Sequence, residues 1–78
     1  HSSREMKEVK ISPESQFNGL TLLEADIHER TGVVVVGVGR DGDLIIDPPR
    51  DYTLETGDVV LGIGKVEEFE KLENIKVT

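Results

Sequence analysis

Apolar residues along the chain fall into six short groups separated by turn-forming residues, and the spacing within each group predicts an element. Met6, Val9 and Ile11 lie close to the alternation of a half-buried strand, which Ser12-Pro13-Glu14-Ser15 ends as a loop. Leu20, Leu23 and Ile27 recur at helical spacing, with Leu22 and Ala25 broadening the stripe. Thr21 and Glu24 have the spacing of a capping box at the start of that helix, and Gly32 is placed to end it in the left-handed conformation. Val33 to Val38 is β-branched apart from Gly37 and reads as a strand buried on both faces. Asp41-Gly42 is a hairpin signal, returning the chain through Leu44-Ile45-Ile46 until Pro48-Pro49 removes two ladder donors. Leu54 to Asp58 is a turn, and Val59 to Ile63 is a further strand. Val66, Phe69 and Leu72 mark a closing helix with Glu67 and Glu68 in its first turn, where the macrodipole favours acid. Ile75 and Val77 extend beyond it as a short tail.

The predicted order is β-α-β-β-β-α. Helices in the second and sixth positions give an α+β domain, a small mixed or antiparallel sheet with two helices, and not a doubly wound fold. Leu20, Leu23, Ile27 and the strand faces are expected to form the core. That core is thin: the aromatic residues are Phe17, Tyr52 and Phe69, and a chain of this length buries only about 60% of the surface it exposes when unfolded. Small domains in this position often recruit a partner surface, so the leftover apolar area is expected to make a homodimer.

Charge and composition narrow the function classes. Nine Lys and Arg against sixteen Asp and Glu leave a net charge of −7, so a nucleic-acid partner is not expected. The longest apolar run is Val33 to Val36, too short for direct membrane insertion. The absence of cysteine removes disulfides, thiolate zinc sites and a cysteine nucleophile together. The chain opens on His1 and its methionine is Met6. Residues 1–5 are therefore read as a flexible leader or expression remnant and residues 6–78 as the domain, a piece of a longer protein.

Gly37-Val38-Gly39 and Gly62-Ile63-Gly64 each follow a strand, and Gly37, Gly39 and Gly42 match the letters of a dinucleotide fingerprint. The context does not match: Gly42 belongs to the hairpin, no helix follows it, and position 67, where the second pair needs glycine, is Glu. These glycines are expected to serve turns and close strand approach. His28 reads as a helix-surface residue, and without a Gly-x-Ser-x-Gly elbow or a nucleophile beside a base the chain is not expected to be an enzyme. Carboxylates are the chemistry present in quantity. An EF-hand loop is absent, and Asp41-Gly42-Asp43, which resembles a fragment of one, is explained by a hairpin turn without a metal. Asp47 stands on a stiff segment before Pro48-Pro49.

Read in order, Gly19-Leu20-Thr21-Leu22-Leu23, the valine strand to Arg40, Ile46-Asp47-Pro48 and Leu54-x-x-Gly57-Asp58-Val59-x-Leu61-x-x-Gly64 resemble the C-terminal subdomain of RCK regulators of potassium conductance, also called the TrkA-C domain. The resemblance covers roughly residues 6 to 75. Ile45 to Tyr52 and Leu61 to Lys65 are similar, more closely still, to calcium-gated archaeal members. It implies a cytosolic, dimerising, ligand-sensing domain that biases the gate of a potassium channel or transporter. The other partners would be the remainder of the parent protein, an N-terminal RCK subdomain and the pore. It also implies Ca2+ as the ligand, with carboxylates at Glu8, Asp47 and Glu68. A calcium ion takes about six to eight oxygens, so carbonyls, waters or a second protomer would complete each site. Val66 stands where those relatives have proline, which bears on the aim of Glu68. The alternatives are a cyclic dinucleotide at the dimer seam, held by Arg40, Arg50 and Lys65, and a ligand-free structural dimerisation module.

Overall fold

The strand-forming segments pair into one antiparallel sheet in the computed structural model, which describes residues 3–74. The strands are β1 (Glu5–Lys10), β2 (Val34–Arg40), β3 (Asp43–Ile46) and β4 (Val59–Gly64), in spatial order β1-β4-β2-β3. The expected tail at Ile75 and Val77 lies outside the described residues. The β2–β3 turn is the expected hairpin: Arg40 pairs with Asp43, and both turn residues, Asp41 (φ 51°) and Gly42 (φ 84°), are left-handed. That is a type I′ turn, whose twist matches the flanking strands. No helix among the described residues is long and apolar enough to cross a membrane.

The expected first helix is two: α1 (Leu22–Ala25) and α2 (Ile27–Thr31), broken at Asp26, which is left-handed at φ 46° and ψ 48°. The capping box forms at its start. Glu24 N–H donates to Thr21 Oγ1 at 3.1 Å, and Thr21 N–H donates to Glu24 Oε1 at 2.9 Å. Gly32 (φ 91°) ends α2 and donates its N–H to the His28 carbonyl at 2.7 Å. The break restarts the helical phase, so Ala25 and Ile27 are buried while Leu23, expected in the core, is 60% exposed. Two orphan amides of the first turn are satisfied from outside: Leu22 N–H donates to the Tyr52 carbonyl and Leu23 N–H to that of Arg50. The segment after Pro48-Pro49 is thereby laid against α1.

The third helix, α3 (Val66–Asn74), packs near α2 on one face of the sheet. Val9, Val60 and Val38 stand side by side on that face and are buried with Phe17, Ile27, Val33, Leu54, Phe69 and Leu72. Gly62 lets β4 approach: a Cβ there would collide with the Val33 side chain. The glycines of the second Gly-x-Gly pair thus serve packing. The opposite face is uncovered. Pairing places Met6, Ile63 and Val34 in one row on it, with Ile46 and Leu44 at its β3 end. Val34 is 47% exposed, so the valine strand is covered on one face and not on both. A bulge between Val35 and Gly37 shifts the register within it.

Candidate functional site

Three segments converge where β3 ends and the first helix breaks. The Asp47 amide donates to the Val36 carbonyl at 2.8 Å, continuing the β2–β3 pairing by one residue before the prolines. Its backbone is left-handed at φ 50°, a conformation that Asp tolerates better than most residues. Asp26 shows the same conformation on the facing segment. Between them lies a cavity of about 280 Å³. Its walls are apolar, from Leu22, Val34, Val35 and Pro48, and it carries two carboxylates (Asp26, Asp47) and two basic groups (His28, Arg50). All four polar residues are exposed. The cavity therefore presents carboxylate acceptors and N–H donors over an apolar floor.

The other expected ligand carboxylates lie elsewhere. Glu68 is half-buried rather than facing water. Its Oε1 accepts the Lys65 N–H at 2.7 Å, and its other oxygen fills the space against Gly32. It caps α3, the third helical residue reaching back to the residue before the helix. Glu8 is on the uncovered sheet face opposite Leu61, beside a second cavity of about 310 Å³ shared with Arg40, Asp41 and Asp43. Asp47, Glu68 and Glu8 are thus in three separate places. Among the described residues no three His, Cys, Asp or Glu side chains converge as a metal centre.

Arg40, expected as an anion contact, is engaged internally. Its Nε and Nη2 donate to both oxygens of Asp58 at 2.8 and 2.7 Å, Nη2 also donates to the Thr53 carbonyl, and Nη1 pairs with Glu55 at 3.1 Å. The guanidinium lies 4.7 Å from the Tyr52 ring centre, within cation–π range. Asp58 is buried, and Arg40 holds its carboxyl below the usual carboxylate range; the Glu55 N–H bond at 2.8 Å acts the same way against the cost of burial. Of the expected basic contacts, Arg50 faces the Asp47 cavity. Sequence reading missed Asp26 as a partner of Asp47, because nothing in the helical stripe marks where it breaks.

Residues 6–76 match the family model described as TrkA-C domain. The chain is 30% identical over 71 residues, 91% of its length, to a probable potassium channel protein 2 of Methanocaldococcus jannaschii, of which it spans 21%. Among solved structures it resembles the RCK C domain of the potassium transport protein KtrA in complex with cyclic diadenosine monophosphate, with a TM-score of 0.81, 24% identity and 91% and 81% of the two chains covered. The RCK_C domain dimer of Streptococcus agalactiae BusR bound to the same dinucleotide superposes with a TM-score of 0.78 at 23% identity, covering 85% of this chain and 87% of that one. BusR is also solved with its busAB-promoter DNA, and there the matched part is 32% of the BusR chain. At these identities the structures speak for the fold.

Proposed function

The chain belongs to the TrkA-C domain family, and from that premise we propose that it is the cytosolic, ligand-sensing, non-catalytic regulatory domain of a potassium channel or transporter, working as a homodimer. The cavity at Asp47 is the ligand seat, and the observation that carries this reading is its mixed lining. A nucleobase fits the apolar walls of Leu22, Val34, Val35 and Pro48, its exocyclic amino group can donate to Asp47 or Asp26, and His28 and Arg50 reach toward a phosphate. At about 280 Å³ the cavity is at the small end for a ligand pocket. It holds one nucleotide unit, so a two-fold cyclic dinucleotide would be shared between two copies. Regulation then follows from differential affinity: the ligand shifts the parent protein only as far as it binds one arrangement of the two copies better than the other.

That Asp26 and Asp47 line one cavity favours a second reading, Ca2+ in that cavity, with carbonyls and waters completing the shell. Neither Glu68, committed to capping, nor Glu8, on the uncovered sheet face beside a different cavity, adds to that centre. One experiment separates the readings: backbone amide NMR on parallel titrations with cyclic di-AMP, Ca2+ and Mg2+. The dinucleotide reading expects saturable shifts at Val34, Val35, His28 and Asp47 with the nucleotide, weakened in His28→Ala. The calcium reading expects saturable shifts with Ca2+ and not Mg2+, lost in Asp47→Ala and kept in His28→Ala. No saturable response to either leaves the ligand-free dimerisation module.

A further inference from the structure

Arg40 stands at the end of β2 away from Val34, about 20 Å along the strand at the usual rise per residue. It lines no part of the Asp47 cavity. Its contacts nevertheless lead there.

The cavity has two walls. Val34, Val35, Asp47 and Pro48 belong to the sheet and its immediate continuation, whereas Leu22, Asp26, Ile27 and His28 belong to the α1–α2 segment, with Arg50 between the two. Residues 50–54 are laced to residues 19–23 by their backbones. Gly19 N–H donates to the Leu54 carbonyl and Leu54 N–H to that of Leu20, both at 2.8 Å. Leu22 N–H donates to the Tyr52 carbonyl at 2.9 Å and Leu23 N–H to that of Arg50 at 3.0 Å, and Thr21 and Thr53 form a bridge. Leu22 and Arg50 therefore shift together, as parts of one unit.

Among the described residues, Arg40 is the one strand residue whose side chain ties that unit to the sheet by hydrogen bond or ion pair. Anchored on Asp58, its guanidinium reaches the Thr53 carbonyl at 2.8 Å and Glu55 at 3.1 Å and lies 4.7 Å from the Tyr52 ring centre. A planar fork of five donors makes these contacts at once; a lysine ammonium keeps the charge but gathers its donors at one point.

We propose that Arg40 is a positioning residue for the Asp47 cavity: by clamping residues 52–55 to the end of β2 it holds the wall that carries Leu22 and Arg50 in register with the wall that carries Val34, Val35 and Asp47. This rests on the reading of that cavity as the ligand seat and adds the side chain that keeps it in its binding form. Loosening the clamp lowers the fraction of molecules with a competent cavity, and apparent affinity falls by that fraction.

Arg40→Lys is the test, with Val9→Ala as the control that weakens the core from β1, away from the clamp. Amide hydrogen exchange is read first, without ligand. Local opening speeds exchange only where it occurs, so in Arg40→Lys the Leu22 and Leu23 amides are expected to exchange roughly tenfold faster relative to the amides of β4, the ratio staying at its parent value in Val9→Ala. Cyclic di-AMP and Ca2+ are then titrated, and whichever saturates the parent chain is expected to bind Arg40→Lys roughly tenfold more weakly and Val9→Ala as the parent does. Tyr52→Leu is expected to act in the same direction and to add little to Arg40→Lys, because both remove one clamp. Exchange at Leu22 and Leu23 that rises only in step with β4 overturns the proposal, and so does an unchanged affinity in Arg40→Lys. Should neither probe saturate the parent chain, the ligand reading falls by itself. The clamp is then decided by the amide shifts of Arg40→Lys: changes at Asp26, His28 and Asp47 support it, and changes confined to residues 40 and 52–58 overturn it.

Discussion

The Arg40 guanidinium holds the buried Asp58 carboxylate through two hydrogen bonds, at 2.8 and 2.7 Å, across 18 positions of sequence. The pair ties the end of β2 to the start of β4, and Arg40 also reaches the Thr53 carbonyl. Replacing Asp58 with Ala leaves the Glu55 N–H without its acceptor and Arg40 without its main partner. The expected loss is about 2 kcal/mol, or a Tm lower by roughly 10 °C for a domain of this size, measured by thermal unfolding.

The same pair sets a dependence on acid. Arg40 keeps the Asp58 pKa depressed in the folded state, and the Thr21 backbone and hydroxyl do the same for Glu24. A depressed folded pKa contributes stability that is complete above the unfolded pKa and is lost as the pH falls through the folded one. The Tm is therefore expected to be flat between about pH 5 and 7 and to fall below about pH 4. In Asp58→Ala that acid limb is shallower. An equally steep limb in the variant would remove Asp58 from the account.

Glu68 and Gly32 make a second linked pair. Alanine at position 32 would place its Cβ on the Glu68 carboxylate and would also have to adopt φ 91°. Gly32→Ala is expected to destabilise by about 1–2 kcal/mol. Glu68→Ala removes a helix cap and is expected to cost about 1 kcal/mol while leaving any cation response of the Asp47 cavity unchanged. A calcium response abolished in Glu68→Ala, with the fold intact by circular dichroism, would return Glu68 to the ligand set.

Asp47 allows stability and binding to be separated. Its left-handed backbone suits glycine, so Asp47→Gly is expected to stay within about 1 kcal/mol of the parent stability while losing the carboxylate from the cavity. Asp47→Val meets the steric penalty of a β-branched residue at φ 50° and is expected to lose about 1–2 kcal/mol. Comparing the two by denaturant midpoint and ligand titration shows which property Asp47 serves.

The sheet was largely legible because its signals are local. Asp41-Gly42 specifies its own turn, Thr21 and Glu24 specify their own cap, and Phe69 and Leu72 trace the buried face of α3, although Val66 at its start is 58% exposed. What escaped reading depends on distant partners. The stripe from Leu20 to Ile27 gives no sign that the chain turns left-handed at Asp26 and resets the helical phase, nor that carbonyls of Tyr52 and Arg50 arrive from another segment to hold the start of α1. Leu23 is misassigned to the core for that reason. Glu68 carries the same negative charge as a ligand or as a cap, and only the position of Lys65 N–H decides between them. The Asp47 cavity is assembled from three stretches, so spacing alone could not foretell that Asp26 and His28 would face it.

The two edges of the sheet are finished differently, and this limits growth. The β3 edge is four residues long, bounded by a type I′ turn on one side and by Asp47 and two prolines on the other. The β1 edge is six residues long, and its charged residues, Glu5, Lys7, Glu8 and Lys10, blunt it as a template for another strand. Both edges are thus guarded against growth by strand addition, although the sheet leaves a row of aliphatic side chains exposed.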